Sequence, residues 1–468
     1  MLKSNFMRLI IPSFLLLLFF CKTASSQTFS VVDSLPVGAY GTAAWGDFDG
    51  DHYKDLAYIS QTVTMGEPDV FIVYRGGPNG LTPLTQPFTH LFNPAAKWGD
   101  LDNDGNEDLV VSGLLNNNFN EVLQIFKSNG DGTFTLKNDT LPGMSVGSID
   151  IADYDNDGLK DIAASGIGAG SDYHTYIFRN KGNWEFEDIH ANLTGAIGGE
   201  LKWCDYDNDG KQDIALSGLG MNSSRTWIYH NDGNNNFSLT SPYMKGGAGT
   251  LDWIDYNGDN FKDLLVAGVD SSGAHNFTDL YHNNGDGTFT KQTTFNAARF
   301  GEPVATDIAD FNGDGKPDIF FGGGNDSFFI NYTAIGINNG TPAFNFNASE
   351  KLDIQNCIVA AADYDNDGDQ DLLISNFLYR NDGVASVQNT KTQIASVSPN
   401  PASSKIEILT KADNAEVSLI SLSGILVYQR KIEHGKQLID VASLAEGSYF
   451  LLIKNKAQRQ VEKIIVQH

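Results

Sequence analysis

The sequence predicts an all-β fold: a seven-bladed β-propeller whose hairpin loops are rich in acid, followed by a small C-terminal β-sandwich. Three observations lead there. An acidic nine-residue segment recurs seven times, its first Asp spaced by 53, 53, 52, 50, 55 and 53 residues, and a period near 50 marks a propeller or solenoid array. Each copy sits between short apolar runs separated by turn residues, four runs to a unit. The repeat also begins and ends in mid-pattern: the last unit stops at FLYRNDG after three runs, while QTFSVVDSLP at 27–36 reads as a fourth run without its first three.

Taken in order, residues 1–26 read as a signal peptide. Lys3 and Arg8 precede an apolar run from Leu9 to Phe20, and Ala24-Ser25-Ser26 places cleavage after Ser26. The run is short for a membrane span, and Phe20 before Cys21 does not suit a lipoprotein signal. No transmembrane segment is expected in the mature chain. Cys204 and Cys357 are then the cysteines left, too few for a disulfide scaffold, and both are expected as small buried residues. The formal charge of −27 and pI near 4.5 argue against nucleic acid and anionic membranes as partners, and point to cations if the acids cluster.

The propeller is expected over 27–384. Before each acidic segment comes an inner run (AAWG, AKWG, IDIA, LKWC, LDWI, TDIA, VAAA), and after it a hydrophobic one such as DLVVSG at 108–113. A third run ends in an aromatic-basic-Asn pattern (YIFRN, WIYHN, LYHNN, FLYRN), and a turn such as NGDGTF leads to a fourth. The weakest third and fourth runs lie in the sixth unit, at 328–350. The mid-pattern start makes 28–35 the expected outer strand of the seventh blade, beside 376–381, which closes the ring where a solenoid would leave both halves unpaired.

The acidic segments carry the chemistry. Their first, third, fifth and ninth positions are Asp47, Asp49, Asp51 and Asp55; Asp100, Asp102, Asp104 and Asp108; Asp153, Asp155, Asp157 and Asp161; Asp205, Asp207, Asp209 and Asp213; Asp255, Asn257, Asp259 and Asp263; Asp310, Asn312, Asp314 and Asp318; Asp363, Asp365, Asp367 and Asp371. A tightly coiled loop brings alternate side chains to one centre, and the seventh residue can add a backbone carbonyl. Ca²⁺ takes six to eight hard oxygens in flexible geometry, so up to seven structural Ca²⁺ ions are expected. Position six needs an unusual turn conformation, which Gly105, Gly158, Gly210, Gly315 and Gly368 supply. His52 and Asn260 replace that glycine in the first and fifth loops. An EF-hand is excluded, because its twelfth position requires Glu and here it holds strand residues from Tyr58 to Ile374. With these loops the chain resembles the FG-GAP/VCBS family over roughly 27–384, which implies an integrin-α-like propeller with Ca²⁺ in its β-hairpin loops.

Trp45, Trp98, Trp203 and Trp253 stand two residues before the first Asp, where packing between blades is expected and an open sugar platform is the alternative. One residue earlier, Lys97 faces Asp150, and Lys202 falls between Asp150 and Asp252, predicting ion pairs between inner strands. His230 and His282 share a repeat position with Arg179 and Arg380, which argues against a catalytic role. No Ser/His/Asp or Cys/His arrangement and no paired carboxylates stand out beyond the acidic loops, so no catalytic residue is assigned. The loops opposite the acidic hairpins, such as GLLNNNFN and GLGMNSSR, are polar and varied, and that face is the expected site for a glycan or extracellular protein ligand. Asp33-Ser34-Leu35 and Asp139-Thr140-Leu141 resemble a short bacterial O-glycosylation pattern.

A polar stretch at 385–393 reads as a linker, and 394–468 as six or seven short strands of a β-sandwich. Pro399-Asn400-Pro401, SLSG at 421–424, LAEGSYFL at 444–451 and the basic, apolar last strand resemble the type A sorting domain of the type IX secretion system. That resemblance implies export to the outer surface or medium, with the type IX machinery as a partner. The functional expectation is a secreted or surface calcium-stabilised binding module for glycan or protein, in adhesion or nutrient capture. The alternative is a polysaccharide lyase on a similar propeller.

Overall fold

A computed structural model describes residues 29–36, 40–61, 70–86, 88–115, 119–221, 223–240, 244–269, 276–295, 305–325, 330–347, 358–381, 395–398, 402–410, 415–421, 426–433, 435–445, 447–454 and 459–467. The expected signal peptide, Thr28, Cys357, the linker at 385–393 and Pro399-Asn400-Pro401 lie outside the described residues. The chain divides into two compact units, with the main boundary between Val384 and Ala385.

Among the described residues the first unit holds seven antiparallel sheets, six of four strands and one of five, because the inner run of the fourth blade is broken into Ala196–Ile197 and Leu201–Cys204. Their inner strands are Tyr40–Gly46, Leu91–Gly99, Ser145–Ala152, Leu201–Cys204, Leu251–Ile254, Ala305–Ala309 and Val359–Ala362. Each touches the next around the ring, and Val359–Ala362 touches Tyr40–Gly46. In each blade the acidic loop links the inner strand to the second. The second strands are the most apolar, with six consecutive buried residues in Asp55–Gln61, Asp108–Leu115, Asp161–Ile167, Asp213–Gly220 and Asp263–Val269. Such continuous runs suit strands covered on both faces.

The core lies between blades. Among the described residues, seven apolar clusters each join two neighbours, such as Phe48, Ala57 and Phe71 of blade one with Trp98, Leu109 and Phe134 of blade two. One of them, with Leu56, Tyr58 and Tyr74 of blade one and Ile358, Ala360 and Leu373 of blade seven, also takes in Leu35. The strand Phe29–Ser34 pairs with Phe377–Asn381 in the order Phe29 to Asn381 and Ser34 to Phe377. Leu35 N donates to Asn376 O at 2.7 Å, and the Asn376 side chain returns to Leu35 O at 3.1 Å. The sixth blade, weak in sequence, has its third and fourth strands at Ile330–Ile337 and Asn345–Asn347. Just before its fourth run, Phe344 is buried in the cluster shared with blade five.

The second unit is a two-sheet sandwich. Ala395–Ser398, Lys405–Thr410 and Gly435–Asp440 form one sheet; Leu426–Ile432, Ala415–Ser421, Gly447–Lys454 and Arg459–Val466 form the other. Ile406, Ile408 and Ile439 from the first pack with Val417, Leu419, Leu451 and Ile464 from the second. Among the described residues, no helix is long and apolar enough to cross a membrane.

Candidate metal centre

Each acidic segment coils because its own carboxylates hold its backbone. In blade two, Asp100 accepts the N–H of Asp104 at 3.1 Å and of Gly105 at 2.9 Å, and Asp104 accepts that of Asn106 at 2.9 Å. The same bonds recur through Asp153 and Asp157, and through Asp205 and Asp209. Two positions are left-handed. The sixth has φ of 93° at Gly105 and 90° at Gly158, and both His52 and Asn260 adopt 72°. The fourth is left-handed too, at Asn103, Asn156, Asn208 and Asn366, with Gly50, Gly258 and Gly313 in the loops that lack Asn there. Asn is the side-chain-bearing residue best suited to that region.

The ninth Asp anchors the loop. Asp108 is fully buried and accepts two backbone N–H groups, from Leu101 and Ser128, both at 2.9 Å. Asp55, Asp161, Asp213, Asp263, Asp318 and Asp371 are equally buried and do the same for their blades. Burial disfavours the charged form, and pushes the carboxyls of Asp55, Asp108, Asp161 and Asp318 up to about 7.

The first, third and ninth carboxylates converge. Asp47, Asp49 and Asp55 offer oxygens within 4.8 Å of one another, as do Asp100, Asp102 and Asp108, Asp153, Asp155 and Asp161, and Asp205, Asp207 and Asp213. The fifth residues sit at the exposed rim: Asp51 holds the N–H of Tyr53, and Asp104 and Asp157 hold those of Asn106 and Leu159. In blade four, Asp207, Asp209 and His230 also approach one another. Asp255, Asp259 and Asp263 with Asn257, Asp310, Asp314 and Asp318 with Asn312, and Asp363, Asp365, Asp367 and Asp371 occupy the corresponding loops of blades five, six and seven.

Four of these oxygens, Oδ1 of Asp47, Asp49, Asp102 and Asp155, are buried without a hydrogen-bond partner. Buried polar atoms are normally satisfied. Clustered, hard, anionic and unsatisfied, this donor set fits a Ca²⁺ ion.

Basic side chains from the third strands reach the same loops. Arg75 Nε lies 2.8 Å from Asp49 Oδ2. Lys127 pairs with Asp102 and lies 2.6 Å from Asp104, and Arg179 lies 2.7 Å from Asp155 and 3.0 Å from Asp157. His230 lies 3.2 Å from Asp207, and His282 2.8 Å from Asp263. The repeat position that argued against catalysis thus faces the acids, a placement visible only once the third strand lies beside the loop.

The Asn that follows ties neighbouring blades. Asn231 is buried, and its side chain donates to Tyr154 O of blade three at 2.9 Å and to Gln212 O of its own loop at 3.0 Å. Asn180, Asn283 and Asn381 repeat the pattern. Asn103 and Asn156 extend from one loop to the next, donating to Gly158 O at 2.8 Å and Gly210 O at 2.9 Å. The tryptophans pack between blades: Trp98 stacks on Phe48, Trp203 on Tyr154, Trp253 on Tyr206, and Trp45 on Tyr364 across the closure.

At the centre of the ring is a cavity of about 400 Å³ lined by inner-run residues of all seven blades, among them Trp45, Lys97, Glu200, Lys202, Asp252 and Asp307. Lys97 pairs with Asp150 at 2.7 Å. Lys202 pairs with Asp252 at 3.2 Å and with Glu200 at 3.8 Å, rather than with Asp150, which instead accepts the Trp203 N–H at 2.8 Å. Glu200 and Asp252 therefore share one ammonium, a carboxylate pair beyond the acidic loops that sequence reading missed because the two lie 52 positions apart in chain numbering. Burial pushes the Glu200 carboxyl up to about 7, and that of Asp307 up to about 6.

Residues 100–164, 205–266 and 255–321 match the model of the FG-GAP-like repeat, and 396–467 match that of the secretion system C-terminal sorting domain. Cartilage acidic protein 1 of Xenopus tropicalis is 28% identical over 329 residues, covering 60% of this chain and 48% of that protein. The chain thus spans about half the length of the curated relative it matches. Among solved structures, PorZ, a surface component of the type-IX secretion system of Porphyromonas gingivalis, is 12% identical over 93% of this chain and 61% of its own, with a TM-score of 0.42. Sucrose-6-phosphate hydrolase from Lactobacillus gasseri is 10% identical over 93% of this chain and 88% of its own, with a TM-score of 0.31.

Proposed function

We propose that this chain, an FG-GAP-repeat β-propeller protein ending in a type IX secretion sorting domain, is a calcium-stabilised binding module. The sorting domain marks it for secretion or the outer surface. The observation that carries the calcium reading is the convergence of carboxylates whose buried oxygens lack partners. Positions one, three, five and nine of each loop would hold the ion, which supplies positive charge that lets the acids lie together. The same donor arrangement in every blade suits architecture better than turnover.

Ligand recognition is assigned to the face opposite the acidic loops. There Phe92 and Phe119 stack with ring centres 5.7 Å apart, and Phe119 is 64% exposed with a left-handed backbone, φ 56°. An exposed, strained aromatic on a rigid ring favours a glycan or protein ligand over a merely structural loop. The test has two arms. Calorimetry of the chelator-stripped protein should show saturable Ca²⁺ uptake, and no uptake would end the calcium reading. A glycan array should give hits that Phe119→Ala abolishes; unsaturated products released from pectic polymers would instead establish a lyase.

A further inference from the structure

The seven loops are not identical, and their differences are paired. Where the third position is Asp, the third-strand slot beside the loop holds a permanent cation: Asp49 with Arg75, Asp102 with Lys127, Asp155 with Arg179, and Asp365 with Arg380 at the same repeat position. Where the third position is neutral Asn, the slot holds none: Asn257 with His282 and Asn312 with Ile337. Blade four departs, with Asp207 and His230, and there Lys211 from within the loop lies 2.5 Å from Asp209. Counting the four acidic positions and the slot, four carboxylates with one cation and three carboxylates with none both leave three net negative charges.

The contact explains the pairing. In blades one, two and three the third-position carboxylate gives Oδ2 to the basic side chain and leaves Oδ1 buried and without a partner, beside the first and ninth carboxylates. One oxygen is held by the protein's own cation while the other remains for an ion. Opposite charge at such short range in a partly buried site is strongly favourable. An extra carboxylate without it would add repulsion to a loop already dense in charge.

We infer that Arg75, Lys127 and Arg179 are built-in counter-cations, positioning residues keyed to the third loop carboxylate. They bring the loops of blades one, two and three to the net charge that the Asn-bearing loops of blades five and six carry, and keep them folded before the ion arrives. The inference rests on the calcium reading for the identity of that ion. It predicts a trade: removing the cation costs stability in the metal-free protein and tightens calcium binding, while removing the paired carboxylate does the reverse.

The experiment is a charge-swap cycle in the full chain, with melting in excess EGTA and Ca²⁺ calorimetry as readouts. Arg75→Gln, Lys127→Gln and Arg179→Gln combined should melt lower in EGTA and bind calcium several-fold more tightly. Adding Asp49→Asn, Asp102→Asn and Asp155→Asn should return both readouts toward the parent, reproducing the neutral pairing of blades five and six. Arg75→Lys with Arg179→Lys should leave both unchanged. If the triple Gln variant does not fold without calcium, Lys127→Gln against Asp102→Asn/Lys127→Gln gives the same comparison in one blade. Unchanged EGTA melting, weaker calcium binding in the Gln variant, or defects that add when the pairs are removed together would each overturn the inference. A parent that takes up no calcium would sink the calcium reading, whereas the EGTA arm would still decide the pairing.

Discussion

Asp108 and Glu200 show two settings in which this protein raises the pKa of a carboxyl group. Asp108 is stapled by two backbone N–H groups at the foot of a loop. Glu200 accepts the N–H of Leu251 in the next blade at 2.8 Å and shares Lys202 with Asp252 in the central cavity. The Glu200 carboxyl is raised in the folded protein, so folding favours its neutral form. Below the ordinary glutamate range both states are protonated and no penalty arises; as pH rises toward about 7 the unfolded chain ionises first and stability is lost. Glu200→Gln should therefore shrink the fall in melting temperature between about pH 5 and pH 8, by roughly 2–4 °C, in saturating calcium. An unchanged slope would show that Glu200 does not titrate in that window.

At the scale of the element, the acidic hairpin was legible from spacing alone: seven copies, glycine at position six in five of them, and an apolar strand after the ninth residue. Its supports were not. The left-handed fourth Asn, the reach of Asn103 to Gly158 O and the cross-blade bonds of Asn231 all run between residues more than 50 apart in sequence or depend on backbone angles. A periodic Asn was visible, but no local rule says which carbonyl it meets. The closing strand is the converse case, because both of its halves carry incomplete patterns that name each other. Phe29–Ser34 completes the seventh sheet, and Leu35 enters the cluster joining blades seven and one. Deleting residues 27–36 should cost on the order of 5 kcal/mol, from a lost strand ladder and an exposed interblade core. Chemical denaturation of the truncated chain checks this, and a loss below about 1 kcal/mol would mean that the ring is held elsewhere.

Across the whole molecule, stability is distributed between blades rather than within them. Among the described residues, every apolar cluster of the first unit straddles two sheets, and Cys204 is free. The acidic loops crowd charge at one end of each interface, so chelation should act on the ring as a unit. Excess EGTA should lower the melting temperature by roughly 10 °C or more and broaden the transition; an identical melting curve would count heavily against structural calcium. What the sequence determined by itself was whatever repeats: strand number, the acidic hairpins, the interblade tryptophans and the sorting domain, because periodicity and local turn chemistry are written residue by residue. Only the tertiary structure decided which charges meet. Lys202 went to Asp252 and Glu200 rather than Asp150, and the third-strand cations went to the loop acids, because the partners of a buried charge are chosen by how sheets lie against one another in space.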